Sequence, residues 1–217
     1  MILSLESKVL TQYLLKQLNM FFPDDIDISY NLVQIMPMVI ERMDYCFSQI
    51  QKKYYFDKGH SVFNHLNSDH YAMFLYWIAN EAYKNQFINL AEKAFFLNKA
   101  LHGVDAFYSI KLPDVFLFVH PIGTILGNAS YSNYLVVYQN VTVGSDINGI
   151  YPQFGQANVL YSKSSVIGSC VLGNNVGVGA NAFLRNSQIP DNSIAVGLYP
   201  EVKIKENNIQ NQKEFFH

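Results

Sequence analysis

Apolar residues in the last third of the chain fall on a six-residue beat: Phe154, Leu160, Val166, Leu172, Val178 and Leu184. A helix repeats its buried face about every 3.6 residues and a half-buried strand every two, so neither explains the beat. One flat side of a triangular coil does, and stacked sides of that kind form a parallel β-helix. Two residues before each aliphatic from Val166 onward stands a short residue, Ser164, Cys170, Val176 or Ala182, which predicts a tight corner. Gly155, Gly173 and Gly179 follow beat residues and are expected to adopt the backbone angles of that corner. The pattern aliphatic-Gly-x-x-small-x predicts a left-handed parallel β-helix. Upstream, Leu112, Phe118 and Thr124 keep the beat, and Leu135 and Val141 resume it after one irregular coil. It lapses between Gly144 and Phe154, where residues 145–152 predict a loop extruded from the coil, a common place for chemistry.

The amino-terminal half has a different period. Over residues 3–20, 32–55 and 69–101 apolar positions recur at three- and four-residue steps, as in Phe74, Trp77, Ile78 and again Phe87, Leu90, Ala94, which predicts helices. Phe21-Phe22-Pro23-Asp24-Asp25 and Asp57-Lys58-Gly59 break them, and Gly103 closes the last. The fold class is therefore α+β: a helical domain over 1–105, a β-helix with one extruded loop over 106–205, and a tail over 206–217.

Composition narrows the function classes. Charged residues make up 15% of 217 and hydrophobic residues 50%, which predicts surface buried against copies of the same chain. A net charge of −2 offers no basic field for nucleic acid. No apolar run is long enough for a membrane span, and residues 3–20, with Glu6, Lys8 and Lys16, read as an amphipathic helix rather than a targeting segment. A cytoplasmic location is the expectation. Two cysteines build no disulfide framework. His60, His65 and His70 are five apart and lack metal-ligand spacing, so no metal is expected. Ser68-Asp69 reads as a helix N-cap, and Asp69 and His70, adjacent on a helix, point apart. His102 reads as a favourable dipole contact at a helix end, and Tyr71, Phe74 and Trp77 as core or subunit interface.

Three segments then carry a resemblance. Val119-His120-Pro121-Ile122-Gly123-Thr124-Ile125-Leu126-Gly127 is similar to an Asp-His-Ala-Thr-Gly-Ile-Val-Val-Gly stretch, Tyr138-Gln139-Asn140-Val141-Thr142-Val143-Gly144 to Leu-Gln-x-Val-Thr-Leu-Gly, and Ala195-Val196-Gly197-Leu198-Tyr199-Pro200 to Ala-Ala-Gly-Val-Pro-Ala. In that order, after a helical domain, they resemble the serine acetyltransferases and their relatives among polysaccharide O-acetyltransferases. The resemblance runs from about residue 57 to residue 205.

It implies acetyl transfer from acetyl-CoA to a hydroxyl, with His120 as the base that takes the hydroxyl proton. Imidazole titrates near neutrality and suits that role. The family's orienting aspartate, fifteen residues upstream of its histidine, corresponds to Asp105, giving an expected Asp105–His120 dyad. The family's serine-reading groups are replaced: Val119 stands for an aspartate, Ile150-Tyr151-Pro152 for Arg-His-Pro, and a third acidic position falls near Lys53. Losing one partner of a buried charge pair costs about 3–5 kcal/mol, so two such losses weaken serine binding on the order of 10⁴-fold or more. The expected acceptor is therefore a sugar, in a surface polysaccharide or its precursor, read by Val119, Ile150 and Tyr151. Two alternatives stand beside it: a serine acetyltransferase with a changed serine site, and a non-catalytic scaffold. The resemblance implies that acetyl-CoA lies along the coil, at Gly144, Ser162, Ala180 and Gly197, with Lys203 and Lys205 meeting its phosphates. It also implies a homotrimer, or two trimers paired into a hexamer.

Overall fold

The computed structural model describes residues 1–217. Strand β1 (Ile2–Leu3) precedes helices α1 (Ser7–Phe21) and α2 (Ser29–Ser48); strands β2 (Phe56–Asp57) and β3 (His60–Phe63) follow, then helices α3 (Ser68–Lys84) and α4 (Ile88–His102). A periodic apolar stripe predicted one helix over 69–101. The chain instead turns at Gln86, whose φ is +62°, and α4 packs back on α3. The three-stranded sheet β1-β3-β2 was not legible in the sequence, because its strands are two to four residues long. α4 ends at Gly103 in the left-handed conformation (φ +65°), as its glycine predicts.

A parallel β-helix follows. Its strands, in chain order, are β4 (Asp105–Ala106), β5 (Phe116–Val119), β6 (Ile125–Leu126), β7 (Leu135–Tyr138), β8 (Thr142–Gly144), β9 (Gln153–Phe154), β10 (Val159–Leu160), β11 (Ser165–Ile167), β12 (Val171–Leu172), β13 (Gly177–Val178), β14 (Phe183–Arg185), β15 (Gln188–Ile189) and β16 (Ser193–Val196). They stack into three faces, ordered β16-β13-β10-β7-β5, β14-β11-β8-β6-β4 and β15-β12-β9. Strand β17 (Lys203–Glu206) adds antiparallel to β16, and helix α5 (Asn211–Phe215) closes the chain.

The six-residue beat marks the interior. Leu160 stacks on Val178, Val166 on Leu184 and Phe154 on Leu172, all of them buried. Upstream the register corrects the sequence reading by two residues. The interior partners are Val137, Val143 and Leu126, whereas Leu135, Val141 and Thr124 lie two positions earlier, at the corners. A shift of two keeps a strand residue on the same face, so both sets are buried and the pattern alone could not separate them.

The corner glycines are also corrected. Gly155, Gly173 and Gly179 are not among the positive-φ residues; the left-handed corners belong to Tyr134, Asn140, Ala157, Lys163, Asn175, Asn181, Asn186 and Asn192 and to a different glycine, Gly168. The glycines are needed for close approach instead. A Cβ on Gly173 would lie 2.6 Å from the Asp191 backbone nitrogen, and one on Gly155 would lie 2.6 Å from the Gly173 carbonyl carbon.

The helices pack on the first coil. Trp77 and Tyr76 of α3 meet Phe116 of β5 with ring centroids 5.1 and 5.7 Å apart, and Tyr71, Phe74 and Trp77 are all buried, as core. The carboxy terminus does not trail away as a tail. Asn211 donates from Nδ2 to the Ala157 carbonyl and from its backbone nitrogen to Asn175 Oδ1, Phe216 packs on Tyr134, and Gln51 N donates to the Phe215 carbonyl. The segment climbs a column of corners from Asn192 back to the helical domain.

Candidate active site

His120 sits on the one corner of its column that is widened. Tyr138 to Thr142 spans four residue steps between paired strands, and the equivalent Val119 to Ile125 spans six. The two extra residues are absorbed by two left-handed positions, His120 (φ +49°) and Gly123 (φ +73°), with the Ile122 N–H donating to the His120 carbonyl. The bulge pushes the imidazole out of the coil, where its side chain is 76% exposed.

The carboxylate beside it is Asp69, not Asp105. Asp69 Oδ2 lies 3.6 Å from His120 Nδ1 and accepts the His120 backbone N–H at 3.2 Å. Asp69 is free to do so because the N-cap of α3 is Asn67, whose side chain accepts from the Asp69 and His70 backbone nitrogens. The sequence had placed Asp69 in the cap itself. Asp105 pairs with Lys99 of α4 at 2.6 Å, and its strand lies against Ile125. No Asp105 oxygen lies within 4.0 Å of a His120 nitrogen, so the expected dyad is not formed. A sequence offset of fifteen gives the right coil but cannot foresee a lysine six residues before Asp105 drawing it away.

His70 does point away from its neighbour, as expected. It packs against Phe47, Tyr55 and Phe63, and burial pushes its pKa down to about 4. His102 overturns the dipole reading. Burial lowers its pKa to about 4, so the ring is neutral, and Nδ1 meets Asn98 Oδ1 at 2.9 Å.

Over His120 opens a cavity of about 400 Å³. Asp69 and His120 share it with Val119 of β5, Tyr138 of β7, the 52–55 loop and Phe215 of α5. Val119 is thus placed beside the imidazole as expected. Ile150 and Tyr151 are not: their loop leaves from the next corner, after β8, and Tyr151 packs over Gly127. Asp146 braces that loop, accepting the Asn148 and Ile150 N–H groups on Oδ1. Phe215 was not foreseen, because it reaches the site through the carboxy-terminal return; of the 52–55 loop, on the α2–β2 connection, only Lys53 was expected near the acceptor, as the place of a missing acidic group.

Strand register places His120, Gln139, Ser162, Ala180 and Gly197 in one column down the edge of the coil. Three of the four residues named for acetyl-CoA therefore stand in line below the imidazole. Gly144 does not; it lies at the far end of β8, paired with Ile167. Lys203 and Lys205 are exposed on β17, at the last coil.

Comparison with known proteins adds the following. No protein-family model matches the chain. A serine acetyltransferase of Staphylococcus epidermidis is 24% identical over 162 residues, covering 73% of this chain and 70% of the relative. One from Staphylococcus xylosus is 25% identical over 162 residues, covering 73% and 69%. Among solved structures, serine acetyltransferase from Vibrio cholerae superposes with a TM-score of 0.66 at 13% identity, over 84% of this chain and 74% of that one. A serine acetyltransferase complex with cysteine gives 0.67 at 16% identity, over 86% and 76%. In sequence and in fold this chain resembles the serine acetyltransferases, hexapeptide-repeat acyltransferases. The histidine of the matched stretch is the one on the widened corner, and the first of the stretch's two glycines, Gly123, shares that corner with it.

Proposed function

We propose that this acyltransferase moves an acetyl group from acetyl-CoA to a sugar hydroxyl, in a surface polysaccharide or its precursor, with His120 as general base and Asp69 behind it. The observation that carries the proposal is the placement of one exposed imidazole between an acidic partner and an open cavity, at the head of a column of small residues. Asp69 faces Nδ1, which leaves Nε2 for the acceptor. A slight turn of the exposed ring closes the 3.6 Å gap to hydrogen-bond length, as apo sites often require. Nε2 takes the hydroxyl proton as the oxygen attacks the thioester carbonyl. The carbon–sulfur bond then breaks and the proton passes to the leaving sulfur, releasing CoA as the thiol.

For the donor, Ser162, Ala180 and Gly197 offer little side-chain bulk, so an extended pantetheine arm can lie along the column, and Lys203 and Lys205 stand at its lower end. A structural neighbour, a serine acetyltransferase at 18% identity and TM-score 0.64, is a complex with CoA, which supports this donor. Apolar faces on the coil, including Ile125, Val171 and Leu198, support a trimer, or a hexamer of two, with the donor groove between copies. For the acceptor, a cavity walled by Val119, Tyr138 and Phe215 suits the face of a sugar ring.

A second reading, serine as acceptor, is favoured by one observation: Asp69 shares the cavity with Lys52 and Lys53, an opposed charge set for an amino acid. Against it, Asp69 is already engaged by His120. Thiol release from acetyl-CoA in the presence of serine or of a sugar panel separates the two, and silence with both points to the scaffold.

A further inference from the structure

The cavity over His120 carries a charge that the proposed chemistry does not use. Lys52 and Lys53 line it, on the loop after α2. Neither has a carboxylate within 4.0 Å, whereas Lys84, Lys93 and Lys99 each do. Each is instead held by an aromatic ring: Lys52 Nζ lies 5.1 Å from the centroid of Phe215, and Lys53 Nζ lies 5.1 Å from that of Tyr54. The hold on Lys52 is itself built by the carboxy-terminal return, since Phe215 is fixed by the bond from Gln51 N to its carbonyl and by the anchoring of Asn211. Two ammonium groups without a carboxylate partner are thereby set along a cavity with apolar walls, on residues that remain exposed.

We infer that the acceptor sugar bears an anionic group, a carboxylate or a phosphate, which Lys52 and Lys53 receive while His120 faces the hydroxyl. This rests on the sugar reading above and narrows it. The anion is not that of the donor. The column proposed for acetyl-CoA runs from His120 toward β16, away from the helical domain, while both lysines belong to the helical domain, on the loop after α2. Charge-assisted hydrogen bonds are about twice as strong as neutral ones, and two of them beside apolar walls favour an anionic over a neutral acceptor by about tenfold or more.

The test is acetyl-CoA-dependent acetylation by the full-length protein of methyl glucoside, methyl glucuronide and glucose 1-phosphate, with serine alongside. The expected result is kcat/KM at least tenfold higher for one or both anionic sugars, with Lys52→Gln/Lys53→Gln bringing the ratio close to one through KM. Preference for the glucuronide identifies a carboxylate, and preference for the phosphate a phosphorylated sugar. Equal or better use of the neutral sugar by the wild type overturns the inference and leaves the sugar reading standing. A lysine effect seen in the KM for acetyl-CoA, with the sugar ratio unmoved, overturns it too. Turnover with serine alone, or with no acceptor, overturns both.

Discussion

His120 is held at φ +49°, a backbone region that asparagine tolerates and most residues avoid. Asn175, Asn181, Asn186 and Asn192 occupy equivalent left-handed corners, so His120→Asn keeps the turn and removes the base. We expect it to lower acetyl transfer on the order of 10²–10⁴-fold while the thermal midpoint stays near that of the wild type, the range general-base catalysis spans. Asp69→Asn should cost about 10–100-fold, the worth of a hydrogen bond to a charged partner, and Asp105→Asn should stay within a few-fold, since its carboxylate serves Lys99. Loss of turnover in the Asp105 variant with retention in the Asp69 variant would reverse that assignment. At this scale the stretch that carries His120 was legible and the carboxylate beside it was not. His120 lies inside a recognisable stretch, whereas Asp69 is separated from it by a helical hairpin and the first coil, and only the capping role of Asn67 frees its side chain.

Among the elements, the β-helix was legible because its interior obeys one short period over many residues. The small sheet and the break at Gln86 were not, since strands of two to four residues leave no pattern and an apolar stripe can run through a turn. The close stacking of coils gives a stability prediction. In Gly173→Ala the new Cβ would lie 2.6 Å from the Asp191 backbone nitrogen, a contact that a flexible side chain cannot relieve. The variant should lose about 1–3 kcal/mol, read as a fall of several degrees in thermal midpoint; an unchanged midpoint would show that neighbouring coils can slide apart. The carboxy-terminal return is held by side-chain amides on the corner column, so Asn211→Ala removes the bond to the Ala157 carbonyl and should raise amide exchange over 211–217 ahead of the coil. Exchange equal to the wild type would mean that Phe215 and Phe216 anchor the segment alone.

For the whole molecule, the buried histidines make folding acid-sensitive. Below pH 6.5 the unfolded chain protonates His70 while the folded chain, with its pKa near 4, does not, so stability falls as pH drops through that window. His70 alone accounts for up to about 3 kcal/mol by pH 4, and His102 acts in the same direction. Urea midpoints from pH 7 to 4.5 should decline, and His70→Gln should flatten the slope even if it lowers the level; a slope identical to the wild type would locate the sensitivity elsewhere. Low charge content points to surface covered by other copies, and sedimentation at a multiple of three times 24.8 kDa would bear out the trimer or its pair. The most direct measurement is free-thiol release from acetyl-CoA by the wild type and by His120→Asn, with a panel of neutral and anionic sugars and with serine. Sugar-dependent release in the wild type, lost in a folded His120→Asn protein, is the predicted result. Release that depends on serine alone, or that survives the substitution, would contradict it.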